Sequence, residues 1–218
     1  KKSSPSLGEI SNPEFDLLNQ ADVYVKSGAN LISVLTEPSR FSGSLQDLND
    51  VSKSFPETPT MRKDFLVEPY QVSEAFINGA RGVLLIAAML GDEILSQMIE
   101  RAMKHNMFVL IEAFDEEDMQ RTQTIMSKSD VFRKNILLGI NCRDLRTLNV
   151  RFSRFEELSR FIPKDVICIA ESGITKASEI KTLSKIGYSG ALIGTALMKS
   201  GNPQQLLAEM RLAALEEQ

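Results

Sequence analysis

Apolar positions along the chain switch repeatedly between helical spacing and short continuous runs, and that alternation predicts most of its elements. From Asp16 to Ser27, Leu17, Leu18, Ala21, Tyr24 and Val25 recur at helical spacing and Gly28 stops the run. Asn30 to Thr36 follows as an apolar strand. Glu37 to Ser44, with Pro38, Phe41 and Gly43, reads as a loop before a helix from about Leu45 to Ser54. Pro56 and Pro59 then precede a short strand that runs into Met61-Arg62-Lys63-Asp64-Phe65.

Further helices are predicted over Glu68 to Asn78, Asp92 to His105, Glu116 to Ser127, Lys176 to Ile186 and roughly Pro203 to Glu216. The clearest apolar face is Ile94, Leu95, Met98, Ile99 and Ala102. Strands are predicted at Gly82 to Ile86, Met107 to Ile111, Ile136 to Ile140, Val166 to Ala170 and Gly190 to Ile193. With one more near the start, strands begin near residues 1, 30, 60, 82, 107, 136, 166 and 190. Eight alternating strand and helix units predict an α/β fold, a parallel (β/α)8 or TIM barrel, as a single domain over residues 1–218. A doubly wound open sheet is the alternative, but neither a Gly-x-Gly-x-x-Gly turn nor a phosphate loop ending in Gly-Lys occurs.

Lys1-Lys2-Ser3-Ser4-Pro5-Ser6 lacks an initiator methionine and enters a loop almost at once. The expectation is that the start of the first strand is missing and that Lys1 is internal to a longer protein.

Composition narrows the function. With 43 % hydrophobic residues the 218-residue chain can bury a sizeable core. Val83 to Leu90, the longest apolar run, is too short to span a bilayer, so no membrane partner and a cytoplasmic location are expected. A net charge of −4 argues against a nucleic-acid surface. Cys142 and Cys168 lie far apart, which predicts packed reduced thiols and neither a metal site nor a disulfide framework. The single histidine, His105, follows Lys104 at a helix end and is expected to face solvent. Acid–base chemistry therefore falls to lysine and carboxylate.

A barrel gathers the carboxyl ends of its strands on one face. That face would hold Lys1, Lys63, Glu112, Asn141, Arg143, Glu171 and Ser172. Each alone could be a polar residue at the rim, Lys63 simply pairing with Asp64. Together they are costly to bury unless they pair or serve a substrate. Desolvation lowers a lysine pKa and raises that of a glutamate, which suits proton transfer, and a Schiff-base lysine is equally open. Ser172-Gly173 and Gly194-Thr195 supply small residues for a phosphate, ahead of a short helix from Ala196 to Lys199, and Ser4 could add a hydroxyl. Phe41 is a further candidate to face the ligand.

These residues resemble the indole-3-glycerol phosphate synthase family of tryptophan biosynthesis. The likeness rests on Lys-Lys-Ser-Ser-Pro-Ser at 1–6, Ser-Val-Leu-Thr-Glu at 33–37, Phe-Ser-Gly-Ser at 41–44 and Arg-Lys-Asp-Phe at 62–65. It continues through Val-Leu-Leu-Ile at 83–86, Gly-Ile-Asn-Cys-Arg-Asp-Leu at 139–145, Ala-Glu-Ser-Gly-Ile at 170–174 and Leu-Ile-Gly-Thr-Ala-Leu-Met at 192–198. The resemblance implies cofactor-free ring closure of 1-(2-carboxyphenylamino)-1-deoxyribulose 5-phosphate, with loss of carbon dioxide and water, by a carboxy-lyase. Lys63 would be the general acid, Lys1 and Arg143 would neutralise the anthranilate carboxylate, and Glu112 would assist dehydration. Asn141, Glu171 and Ser172 would orient Lys63 and the substrate, while Ser4, Gly173, Gly194 and Thr195 would hold the phosphate. Association or fusion with other enzymes of the pathway is left open.

Departures from the family pattern are Ala113-Phe114 for Val-His, Cys142 for asparagine and Arg81 for an acidic residue, all expected to flank the catalytic positions. The family's amino-terminal helical extension, and its glutamate two residues before the lysine matched by Lys1, would precede this chain. Two alternatives remain: a phosphoribosylanthranilate isomerase-like barrel, whose acid and base are a cysteine and an aspartate, and a phosphate-binding barrel with impaired catalysis.

Overall fold

The computed structural model describes residues 3–4, 8–9, 16–143, 147 and 149–215, with 3–4 and 8–9 as backbone only. Strand β1 (Ser3–Ser4) pairs antiparallel with β2 (Gly8–Glu9). Helix α1 (Leu17–Lys26) begins where the Asp16 carboxylate accepts from the amides of Leu18 and Asn19, a side-chain cap for otherwise orphaned donors. Then come β3 (Ile32–Leu35), α2 (Pro38–Phe41), α3 (Leu45–Ser54), β4 (Thr60–Lys63), α4 (Pro69–Ile77) and β5 (Gly82–Ile86). A 3-10 turn at Ala87–Met89 leads to α5 (Asp92–Lys104), β6 (Phe108–Ala113), α6 (Glu116–Met126), α7 (Asp130–Asn135) and β7 (Ile136–Asn141). The chain continues through α8 (Ser153–Ser159), β8 (Cys168–Glu171), α9 (Ala177–Lys185), β9 (Gly190–Leu192), α10 (Thr195–Lys199) and α11 (Pro203–Leu215).

Strands β3 to β9 form one seven-stranded sheet in chain order, and every neighbouring pair is parallel. The described residues give this sheet seven strands against the eight expected, and Ser3–Ser4 belongs to a separate two-stranded ribbon. The sheet is curled. Leu31, ahead of β3, and Leu192 of β9 flank opposite edges yet pack against the same inner cluster of Met61, Leu84, Ile86 and Leu110. The first and last long helices also meet, with Arg211 Nη1 donating to the Ser27 carbonyl at 3.3 Å.

Alternate residues along each strand face opposite sides. Val83, Leu85, Val109 and Ile111 pack outward under the helices, whereas Leu84, Ile86 and Leu110 fill the inside. Further round, Leu138, Ile140, Cys168 and Ala170 join the outer layer, and Leu137 and Ile169 the inner one. This period of two aims the last inward residues of β4, β6, β7 and β8 into the mouth of the curl. Among the described residues no helix is long and apolar enough to cross a membrane.

Candidate active site

The last inward positions are Lys63, Glu112, Asn141 and Glu171, and the structure brings all four together. Lys63 Nζ donates to Glu112 Oε2 and Glu171 Oε2, each at 3.2 Å. The other oxygen of Glu112 accepts from Asn141 Nδ2 at 2.9 Å, and Asn141 Oδ1 accepts from the Arg143 amide at 2.9 Å. Glu112, Asn141 and Glu171 are buried, while a quarter of the Lys63 side chain (24 %) stays exposed at the mouth. Lys63 thus pairs with the two glutamates across the mouth. Asp64, the partner that a rim lysine would take, points outward to Arg62 and Thr36.

One cation between two buried carboxylates leaves an excess negative charge, and its consequences are directional. Burial alone would depress the Lys63 pKa, but the attraction of Glu171 and then of Glu112 outweighs it and raises the value. Burial raises Glu171, the Lys63 charge opposes this, the Glu112 charge adds to it, and the carboxyl stands at about 8. Among the described residues Glu171 Oε1 is buried with no hydrogen-bond partner, which suits a protonated or proton-seeking carboxyl. Gly139 makes room for it, since a Cβ there would sit 2.2 Å from that oxygen.

Two aromatic rings frame the mouth. Phe65 follows Lys63 and packs against the inner cluster, and its ring lies 6.3 Å from that of Phe41, tilted by 42°. Phe41 is carried by α2, which replaces the loop expected there. Pro38 occupies the first helical turn and the Glu37 carboxylate accepts from the amides of Ser39 and Arg40 at 3.0 and 2.6 Å. Phe65 was not among the expected site residues, although its place two residues after Lys63 is a signal that could have found it.

The expected phosphate residues fall on adjacent loops. Glu171 pairs in register with Leu192, so Ser172-Gly173 and Gly194-Thr195 leave neighbouring strands side by side. Ser172 and Gly173 have φ of 70° and 68°, and a Cβ on Gly173 would come 2.5 Å from Val150 and 2.8 Å from Cys142. Arg143 is half-buried beyond β7 and bridges to Val150. Lys1 lies outside the described residues, and for Ser4 the structure describes the backbone but not the hydroxyl.

A family model for indole-3-glycerol phosphate synthase matches residues 1–210. The chain belongs to the indole-3-glycerol phosphate synthase family. It is 40 % identical over 214 residues to the synthase of that name from Ruminiclostridium cellulolyticum, covering 98 % of this chain and 78 % of the relative. The synthase from Endomicrobium trichonymphae is 39 % identical over 211 residues, covering 97 % and 78 %. In fold the chain is similar to 3-hexulose-6-phosphate synthase from Salmonella typhimurium, with a TM-score of 0.77 at 12 % identity over 94 % of this chain and 96 % of that one.

Within this synthase family the chain's departures have local explanations. Phe114 lies beneath Arg154, whose guanidinium carbon stands 3.9 Å from the ring centroid. Arg154 also donates to the Phe114 carbonyl, and Asp118 accepts from the Phe114 amide at 3.0 Å, so this peptide is held on both sides. Cys142 is buried in the outer layer, where its thiol donates to the Ser172 carbonyl at 3.3 Å. Arg81 is a correction: it precedes β5 and stands at the opposite end of the sheet from the mouth. His105 is another, being half-buried, bonded to Ser73 Oγ at 2.9 Å and stacked on Phe76 at 4.4 Å. Both cysteines are free and buried in the outer layer, so neither supplies the inward thiol that the isomerase alternative requires.

Proposed function

We propose that the protein closes the pyrrole ring of 1-(2-carboxyphenylamino)-1-deoxyribulose 5-phosphate, acting as a carboxy-lyase in the cytoplasm. The observation that carries this reading is the Lys63 ammonium held between Glu112 and Glu171 at the mouth of the curled sheet. Its raised pKa keeps Lys63 protonated through neutral pH. Lys63 hydrogen-bonds the substrate ketone and gives it a proton as the aromatic carbon bearing the carboxylate attacks. The new carbon–carbon bond costs the ring its aromaticity. Breaking the bond to the carboxylate returns an electron pair to the ring and releases carbon dioxide.

The alcohol so formed leaves as water when a proton is delivered to its oxygen and another is removed from the neighbouring carbon. Glu112 assists this step, with its orientation fixed by Asn141. Glu171 and Ser172 orient Lys63 and the substrate, Phe41 covers the aromatic ring, and Arg143 with Lys1 neutralises the carboxylate before it departs. The phosphate is held by Gly173, Gly194 and Thr195 on their adjacent loops and by the Ser4 hydroxyl. The small-molecule substrate is the partner; association with neighbouring enzymes of the pathway is a separate question.

Turnover of the carboxyphenylamino-deoxyribulose phosphate is followed by the rise in indole fluorescence. Lys63→Ala is expected to lower kcat by at least about a hundredfold, within the range attributed to a positioned general acid, with little change in folding. Unchanged turnover in that variant contradicts the role of Lys63.

A further inference from the structure

Lys63 can act only if its ammonium is aimed. The holding contacts come from the outer side of the sheet, from the last turn of the neighbouring strand. Thr36 follows β3 and is 4 % exposed. Its amide donates to the Lys63 carbonyl at 3.1 Å. Its hydroxyl donates to Asp64 Oδ2 at 2.5 Å and accepts from Arg62 Nε at 3.0 Å. One residue therefore grips the peptide of Lys63 and the side chains on both sides of it in sequence. The rest of this knot is anchored: Arg62 reaches the Gln71 carbonyl at 3.0 Å, Glu74 at 2.8 Å and Asp64 at 3.1 Å, and Asp64 Oδ1 accepts from the Phe65 amide at 2.8 Å.

We propose that Thr36 is a positioning residue for the reaction, its hydroxyl joining Arg62 to Asp64 so that Lys63 is presented between Glu112 and Glu171. The inference rests on the reading of Lys63 as the acid and goes beyond it by naming the group that sets the acid's geometry. A hydroxyl with both its proton and a lone pair committed to charged partners defines one arrangement of three consecutive residues. Arg62 and Asp64 point outward, away from the mouth, so the effect reaches the reaction through Lys63. Among the described residues, the titratable groups facing the Lys63 ammonium are Glu112 from β6 and Glu171 from β8, while Leu35, Ile86 and Asn141 end the intervening strands.

The test compares Thr36→Val, which keeps the volume and the backbone amide but lacks the hydroxyl, with Thr36→Ser, which restores it. Each is assayed with the carboxyphenylamino-deoxyribulose phosphate for kcat, KM and the pH dependence of kcat, beside Lys63→Ala. Thr36→Val is expected to lower kcat about ten- to a hundredfold, as for a displacement of about 1 Å at a reacting group, while KM changes less than about twofold. Its basic limb should move to lower pH, because a lysine that has slipped from its two carboxylates loses the attraction that raised its pKa. Thr36→Ser should recover both. If Thr36→Val folds poorly, Asp64→Asn breaks the same link and should move the same limb. A Thr36→Val or Asp64→Asn enzyme that only melts earlier, with wild-type kcat and basic limb, overturns the proposal, as does a Thr36→Ser enzyme impaired as deeply as Thr36→Val. An active Lys63→Ala enzyme overturns both the acid role and this inference, whereas an inactive one with a normal Thr36→Val overturns the inference alone.

Discussion

At the scale of single residues, Glu171 is the most exacting member of the site. Its Oε2 meets Lys63 while Oε1 has no partner among the described residues, and burial lifts its pKa to about 8. A glutamate in an unfolded chain titrates near about 4.3, so between these values the folded protein holds a proton that the unfolded chain has released. Stability from this group is then fully present below about pH 4.3 and is lost as pH rises through about 8. Lys63 is also shifted upward and affects stability only above its unfolded value of about 10.4. Glu171→Gln is expected to flatten the fall in Tm between pH 5 and 8 by on the order of a few degrees. A scan in which wild type and variant keep the same slope contradicts a raised Glu171.

At the scale of elements, parallel strands do the positioning and short connecting pieces do the covering. Lys63 meets partners 49 and 108 residues further along the chain because the last inward residues of β4, β6 and β8 share one end of the sheet. Helix α2 is different in kind. It has four residues, too few to hold itself, and depends on Pro38 and on the Glu37 carboxylate for its first turn. Glu37→Ala should fray α2 and loosen Phe41 over the mouth. Steady-state kinetics should then show KM raised about three- to fivefold, the scale of a lost cap, with kcat nearly unchanged. A fall in kcat at constant KM would instead place Glu37 in the chemistry.

At the scale of the whole molecule, much of the design was legible because parallel strands buried on both faces are short apolar runs. Those from Met107 to Ile111 and from Ile136 to Ile140 carry that signal, and their ends exposed Glu112 and Asn141. Two of the short helices were not legible: α7 and α8 have six and seven residues, too few to display a period. Thr36 and Arg62 were silent for another reason. A threonine at a strand end and an arginine beside a lysine have ordinary sequence environments, and only tertiary packing turns Arg62, 4 % exposed, into a buried partner of both Thr36 and Asp64. The expected first strand, near residue 1, falls largely outside the described residues.

The central claim is that inward strand ends drawn from across the chain converge on one ligand. A crystal structure with a reduced, non-cyclising analogue of the carboxyphenylamino-deoxyribulose phosphate tests it most directly. The account predicts that Lys63 Nζ lies within hydrogen-bond reach of the oxygen replacing the ketone, with Glu112 on the same ligand and the phosphate against Gly173 and Gly194. An analogue bound elsewhere, or with its phosphate in the mouth beside Lys63, would contradict it.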